Sequence, residues 1–219
     1  MTTNALLFGS IGVLVETSDM QRRAFNAAFA DAGLGWEWDK DTYTGLLKKS
    51  GGEDRIARYA TQRHQTVDAE ALHQAKVDHY ARMMADTGLS LRPGIRDLMD
   101  EAANRAIPIG WVTDTGTEQL DAIFDNLGST LSRDEFAFVG AGMHVDNRKP
   151  APDIYEAALS DLQVAQGSAL AVEDTGICAL AAVAAGIRTV GYPNAYADLG
   201  DFPDEVRIVT ELTPDLLDD

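Results

Sequence analysis

Lys149, Glu173 and Asp174 are the side chains of this sequence best suited to chemistry. Lys149 opens the string Lys149-Pro150-Ala151-Pro152-Asp153-Ile154-Tyr155, and the two carboxylates follow the apolar run Ala169–Val172. Brought together, one cation and two anions can hold a weakly bound metal or neutralise one another. Mutual pairing satisfies all three without a metal and is preferred here. Gly9 and Ile11, at the end of the first apolar run, can contribute neither a nucleophile nor a proton. Ser10 is the nucleophilic side chain closest to them. If the strand continues, adjacent side chains face opposite ways, so Ser10 is expected to point away from where residue 9 would act, with no general base near it. Glu16 reads as a structural acid at a helix start. His64, His73, His79 and His144 show neither metal-ligand spacing nor catalytic grouping, and His73 and His79 read as helix-surface residues.

The elements that must position these groups alternate in character. Ala5–Phe8 is short, apolar and bounded by glycine, which predicts a buried strand. Four helical patterns then follow with no strand between them: from Asp19 to Gly33, Asp41 to Lys49, from near Asp54, and about Asp68 to Ala85. Pro93-Gly94 marks a boundary. Beyond it, helices 95–106, 118–126, 152–162 and 178–185 alternate with strands 107–113, 136–139, 169–172 and 188–192, and 206–209 reads as an edge strand. Alternating helix and strand predicts a parallel sheet covered on both faces. The expected fold is α/β: a doubly wound, Rossmann-like parallel sheet from 1–17 and 91–219, with a helical cap inserted at 18–90. Trp36 and Trp38 read as packing within that cap.

Composition narrows the partners. Of 219 residues, 45% are hydrophobic and 24% charged, enough to bury a real core. The net charge of −17 argues against nucleic acid or an anionic membrane as a partner. A single cysteine, Cys178, rules out an intrachain disulfide framework and suits a reducing cytoplasm. No segment has the length and apolarity of a membrane span.

Four segments, in order, resemble the motifs of the haloacid dehalogenase superfamily of phosphohydrolases. They are Ala5-Leu6-Leu7-Phe8-Gly9-Ser10-Ile11-Gly12-Val13-Leu14-Val15-Glu16-Thr17, the run Ile109–Thr113, the Lys149 string, and Val172-Glu173-Asp174-Thr175 followed by Ala181–Gly186. Arg22-Arg23-Ala24-Phe25-Asn26, Trp36-Glu37-Trp38-Asp39 and Ser50-Gly51-Gly52-Glu53-Asp54-Arg55-Ile56 are similar to its CbbY and β-phosphoglucomutase-like group of sugar-phosphate phosphatases. The resemblance implies phosphate binding by Thr113, Asp114 and Lys149, a Mg²⁺ site at Glu173 and Asp174, and a cap substrate loop around Gly52, Glu53 and Arg55. Such a site would lie at the carboxyl ends of the parallel strands.

The departures from that pattern change the functional expectation. The nucleophilic aspartate of the first motif falls on Gly9, and the acid/base aspartate on Ile11. Glu53 stands where the cap stretch usually carries a lysine, and Gln21 where β-phosphoglucomutase-like members carry a histidine. Asp114 adds a carboxylate beside the phosphate cradle, and Cys178 replaces a usual glycine. Loss of a covalent nucleophile costs on the order of a million-fold in rate, and loss of an acid/base group roughly a hundred- to ten-thousand-fold. The expectation is a phosphatase homologue with impaired or absent catalysis. It would bind a small phosphorylated metabolite or a protein partner, and the Mg²⁺ usual for the family is not expected. The competing expectation is an active, Mg²⁺-dependent phosphosugar hydrolase with a rearranged site.

Overall fold

A computed structural model describes residues 3–49, 51–140 and 145–218 of the chain. Six strands form one sheet in the order β3-β2-β1-β4-β5-β6. They are β1 (Ala5–Phe8), β2 (Ile109–Val112), β3 (Phe138–Gly140), β4 (Ala169–Glu173), β5 (Arg188–Gly191) and β6 (Arg207–Ile208). Every pairing is parallel; β1 lies between β2 and β4, with Phe8 level with Trp111 on one side and Val172 on the other. Strands β1, β2 and β4 are buried along their whole length, as continuous apolar runs in a sheet covered on both faces should be. Strand β1 has the expected bounds, whereas β2, β3, β5 and β6 are shorter than the apolar runs suggested. Thr113 lies just past β2, whereas β4 extends through Glu173.

The chain divides into two compact units, one comprising the residues up to Glu16 with those from Ser90 onward, the other Thr17–Leu89. In the sheet unit a short helical turn, α1 (Ile11–Leu14), follows β1 directly. Ala5, Leu7, Val112 and Ala171 of the sheet meet Ile154, Tyr155 and Ala158 of α8 (Asp153–Leu162) and Ala181 and Ala182 of α9 (Gly176–Ala184) in one apolar layer. Trp111 packs against Phe124 of α7 (Thr117–Leu127) and against Phe136, at ring separations of 5.2 and 5.8 Å. Helix α6 (Ile95–Asn104) buries Ile95, Leu98, Met99 and Ala102.

The other unit holds α2 (Ser18–Asp31), α3 (Lys40–Leu46), α4 (Gly52–Gln62) and α5 (Ala69–Thr87). Asp39 and Asp68 accept hydrogen bonds at the starts of α3 and α5, satisfying free amides there. An aromatic cluster organises the interior. Trp38 is fully buried, with ring centres 4.8 Å from Phe25, 4.7 Å from Phe29 and 5.3 Å from Tyr59. Its backbone is fixed as well, since its amide donates to Asn26 Oδ1 at 2.8 Å and its carbonyl accepts from Arg22 and Asn26. Trp38→Ala should therefore destabilise this unit by about 3–5 kcal/mol, measured by urea denaturation. A loss below about 1 kcal/mol would show that the ring cluster does not hold the unit together. Among the described residues, no helix is long and apolar enough to cross a membrane.

Candidate functional site

Parallel strands deliver their carboxyl ends to one edge of the sheet, and β1, β2 and β4 bring Gly9, Thr113 and Glu173 there. Strand β1 ends at Phe8. The Gly9 amide still donates to Val172 O at 3.0 Å, and Ser10 then adopts the extended conformation that starts α1. Strand alternation therefore does not reach Ser10, and the sequence-based expectation for its direction is corrected. Its hydroxyl donates to Asp174 Oδ1 and its amide to Glu173 Oε2 at 3.2 Å. Ser10 points into the carboxylate pair, and a carboxylate stands beside its hydroxyl after all.

Lys149 is 3% exposed and Glu173 wholly buried, their charges 2.6 Å apart. The Lys149 ammonium also donates to Val112 O at 2.8 Å, and the Tyr155 hydroxyl donates to the same Glu173 oxygen at 2.6 Å. Burial alone would lower the Lys149 pKa, but Glu173, with smaller help from Cys178 and Asp114, holds it above its ordinary value. Asp174 is pushed up by burial, against the opposing hydrogen bonds of Ser10 and Asn194; the Asn194 amide donates to it at 2.6 Å. Thr113 is buried, but its hydroxyl is engaged with Thr115, accepting from that residue's amide at 3.2 Å. Asp114 accepts from the Lys149 amide at 3.0 Å, and its other carboxylate oxygen is buried with no hydrogen bond among the described residues.

Gly9 and Gly12 show how tightly this arrangement closes. An ideal Cβ on Gly9 would lie 2.0 Å from Glu173 Cδ, and one on Gly12 would lie 1.9 Å from Asp174 Oδ2. The Glu173 carboxylate stands in the room that a side chain at position 9 would need. Mg²⁺ requires several hard oxygen ligands in near-octahedral array. Gly9 offers none, and both carboxylates already accept from protein donors, one of them cationic. These residues do not fit a Mg²⁺ centre. Ile11 is 8% exposed and packed as an apolar residue. Cys178 is half-buried, and burial near Glu173 keeps its thiol protonated.

The helical unit holds its own group of cations. Gly52 starts α4, with His73 Nε2 only 2.5 Å from the position of a Cβ there, so no larger residue fits without a shift. Glu53 is exposed on the first turn. Arg55 is 7% exposed; its guanidinium donates to Leu46 O and Lys49 O and lies over the Phe25 and Tyr43 rings. Arg55 thus ties down the turn before α4. His73, expected on the helix surface, is half-buried beside Lys76 and Arg55, and burial lowers its pKa. His79 pairs with Asp31 at 2.8 Å, His64 is exposed, and His144 lies outside the described residues. Glu16 accepts from the Ala195 amide at 2.9 Å, in keeping with a structural role.

A family profile described as haloacid dehalogenase-like hydrolase matches residues 11–192. The chain belongs to this family. Among curated relatives, Protein CbbY of Cereibacter sphaeroides is 37% identical over 94% of this chain and 90% of its own length. Protein CbbY of Rhodobacter capsulatus is 34% identical over 99% of this chain and all of its own. The crystal structure of CbbY from Rhodobacter sphaeroides in complex with phosphate has a TM-score of 0.85, with 36% identity over 96% of this chain and 95% of that one. A second crystal structure of that protein is a complex with xylulose-(1,5)bisphosphate. The haloacid dehalogenase-like fold and the kinship with CbbY are thereby shown.

Three residues that matter here escaped the sequence reading. Tyr155 was visible only as the last letter of the Lys149 string, though it donates to Glu173. Asn194 and Arg92 carried no signal, because their partners are distant in sequence. Arg92 donates to the carbonyls of Gly12, Tyr192 and Pro193 and lies over the Tyr192 ring, fixing the α1 turn against the loop that carries Asn194.

Proposed function

We propose that this chain is a haloacid dehalogenase-like phosphatase homologue whose core cleft has lost most or all phosphomonoester hydrolysis. One observation carries this: the Glu173 carboxylate, hydrogen-bonded to Lys149, Tyr155 and Ser10, fills the room of a position-9 side chain. Nothing at Gly9 can attack phosphorus, and nothing at Ile11 can exchange a proton with a leaving oxygen. In the sheet unit the residues retained for ligand contact are Thr113, Asp114 and Lys149; in the helical unit the donors of Arg55, beside Gly52 and Glu53, are taken by the carbonyls of Leu46 and Lys49. The ligand is a small phosphorylated metabolite of the sugar-phosphate class, supported by the phosphate and xylulose-(1,5)bisphosphate complexes of CbbY. A single cysteine suits a cytoplasmic setting.

The test is hydrolysis of a sugar-phosphate panel and an activated aryl phosphate, with Mg²⁺ or EDTA, beside Asp174→Ala. Turnover indistinguishable from Asp174→Ala is expected. Metal-dependent turnover that disappears in Asp174→Ala would overturn the proposal. A second reading, a working hydrolase with a rearranged site, draws on the Ser10 hydroxyl beside Asp174. It requires that Ser10→Ala abolish whatever turnover is found.

A further inference from the structure

Glu173, Asp174 and Cys178 hold potential ligand atoms all within 4.8 Å of one another. Spacing alone would admit a cation; charge and hydrogen bonding decide against it. Both Glu173 oxygens and both Asp174 oxygens already accept from protein donors: Lys149 and Tyr155 on one, the Ser10 amide on the next, the Ser10 hydroxyl and Asn194 on the remaining two. The Lys149 ammonium is itself held from behind. Val112 O accepts from it at 2.8 Å, and the Lys149 backbone amide is fixed by Asp114 at 3.0 Å, so the loop carrying the charge is anchored at two points. An arriving dication would meet a fixed positive charge 2.6 Å from its first carboxylate.

We propose that Lys149 is a built-in counter-ion: its ammonium supplies from within the chain the positive charge a divalent cation would bring, and it closes the Glu173–Asp174 pair to such ions. This rests on the core cleft being disabled as proposed above, and it adds a specific cause. Removing the Lys149 charge leaves two buried carboxylates uncompensated, a costly state that a hard dication relieves. With no ligand available from Gly9, the Lys149 charge closes what the Glu173–Asp174 pair still offers a cation.

The probe is Mn²⁺, which takes oxygen ligands and whose free-ion electron paramagnetic resonance signal falls on binding. Wild-type protein is expected to take up no Mn²⁺ at millimolar concentration. Lys149→Met is expected to bind one ion per chain, at least about tenfold more tightly than wild type, and Lys149→Met/Asp174→Asn to lose it. Lys149→Met/Glu173→Gln, with the Lys149–Glu173 ion pair replaced by two neutral side chains, should fold and take up none. Wild-type uptake that disappears in Asp174→Asn would overturn the proposal, as would a folded Lys149→Met that binds nothing. Should Lys149→Met fold only with Mn²⁺ present, the proposal stands; should Mn²⁺ fail to restore folding, it falls. The two failures are distinguishable. Mn²⁺ uptake by a wild type without turnover sinks the counter-ion alone, whereas metal-dependent turnover sinks both.

Discussion

Gly9→Asp, alone or with Ile11→Asp, is expected to restore no phosphatase turnover and to lower stability. An aspartate at position 9 must place its Cβ within 2.0 Å of Glu173 Cδ. Glu173 would have to swing away from Lys149, Tyr155 and the Ser10 amide, breaking a buried ion pair and two hydrogen bonds. Breaking such a pair by removing one partner costs about 3–5 kcal/mol. Part of that returns, because the new carboxylate can itself accept from Lys149. A net loss of about 1–3 kcal/mol is expected, in the range of other overpacked cores. The carboxylate introduced at position 9 also brings a further negative charge into a cleft that already holds Glu173, Asp174 and Asp114. Adding Glu173→Ala to the double variant removes the collision and should recover most of the lost stability. Thermal unfolding of the three variants gives the order, and an aryl phosphate assay gives the turnover. A rise of about a hundredfold or more in the double variant, the scale of one restored acid/base group, would show that Glu173 moves aside readily and that the rest of the site is competent.

Much of this was legible in the sequence because the signals were local. The run Ala5–Phe8 and its equivalents are apolar on both faces, which only a covered parallel strand requires, and the switch at Pro93-Gly94 from pure helix to alternation separated two kinds of unit. Glu173 and Asp174 stood out because they follow an apolar run and Lys149 because it opens the string that ends at Tyr155, and their mutual pairing was anticipated; the structure joins Lys149 to Glu173 but gives Asp174 to Ser10 and Asn194. What could not be read was direction. Ser10 turned inward because β1 stops at Phe8, where the apolar run also ends, so strand alternation does not carry on to Ser10. The filling of the position-9 space was likewise invisible, since it depends on the reach of a side chain 164 residues away, as the 164-residue separation of Ser10 and Asp174 illustrates for the same pair of strands. Arg55 had the composition of a ligand contact, yet its donors serve the carbonyls of its own turn.

Lys76→Met is expected to stabilise the protein near neutral pH, and the gain should vanish in alkali. Lys76 lies on α5 at 4% exposure, its ammonium 5.1 Å from the Phe25 ring centre and 5.0 Å from that of Tyr80. Its charged neighbours are Arg55 on α4 and His73 on its own helix, both cationic when ionised. Burial, with Arg55 adding to it, lowers the Lys76 pKa to about 7. The unfolded chain keeps the ordinary value near 10.4, so the folded state binds a proton less readily than the unfolded one. Stability then rises with pH. Above the unfolded value the amine is neutral in both states and there is no penalty; as pH falls toward 7 the penalty accumulates, and below that it is complete. Linkage sets an upper limit of about 5 kcal/mol, which relaxation and the facing aromatic rings reduce to about 2 kcal/mol. Urea denaturation of wild type and Lys76→Met between pH 6 and 10 measures the difference. It should be largest at the acid end and shrink steadily toward pH 10. Burial also lowers the pKa of His73, with Lys76 and Arg55 adding to it. A difference that stays constant across the range would mean that the buried ammonium keeps its proton throughout, held by the Phe25 and Tyr80 rings despite Arg55.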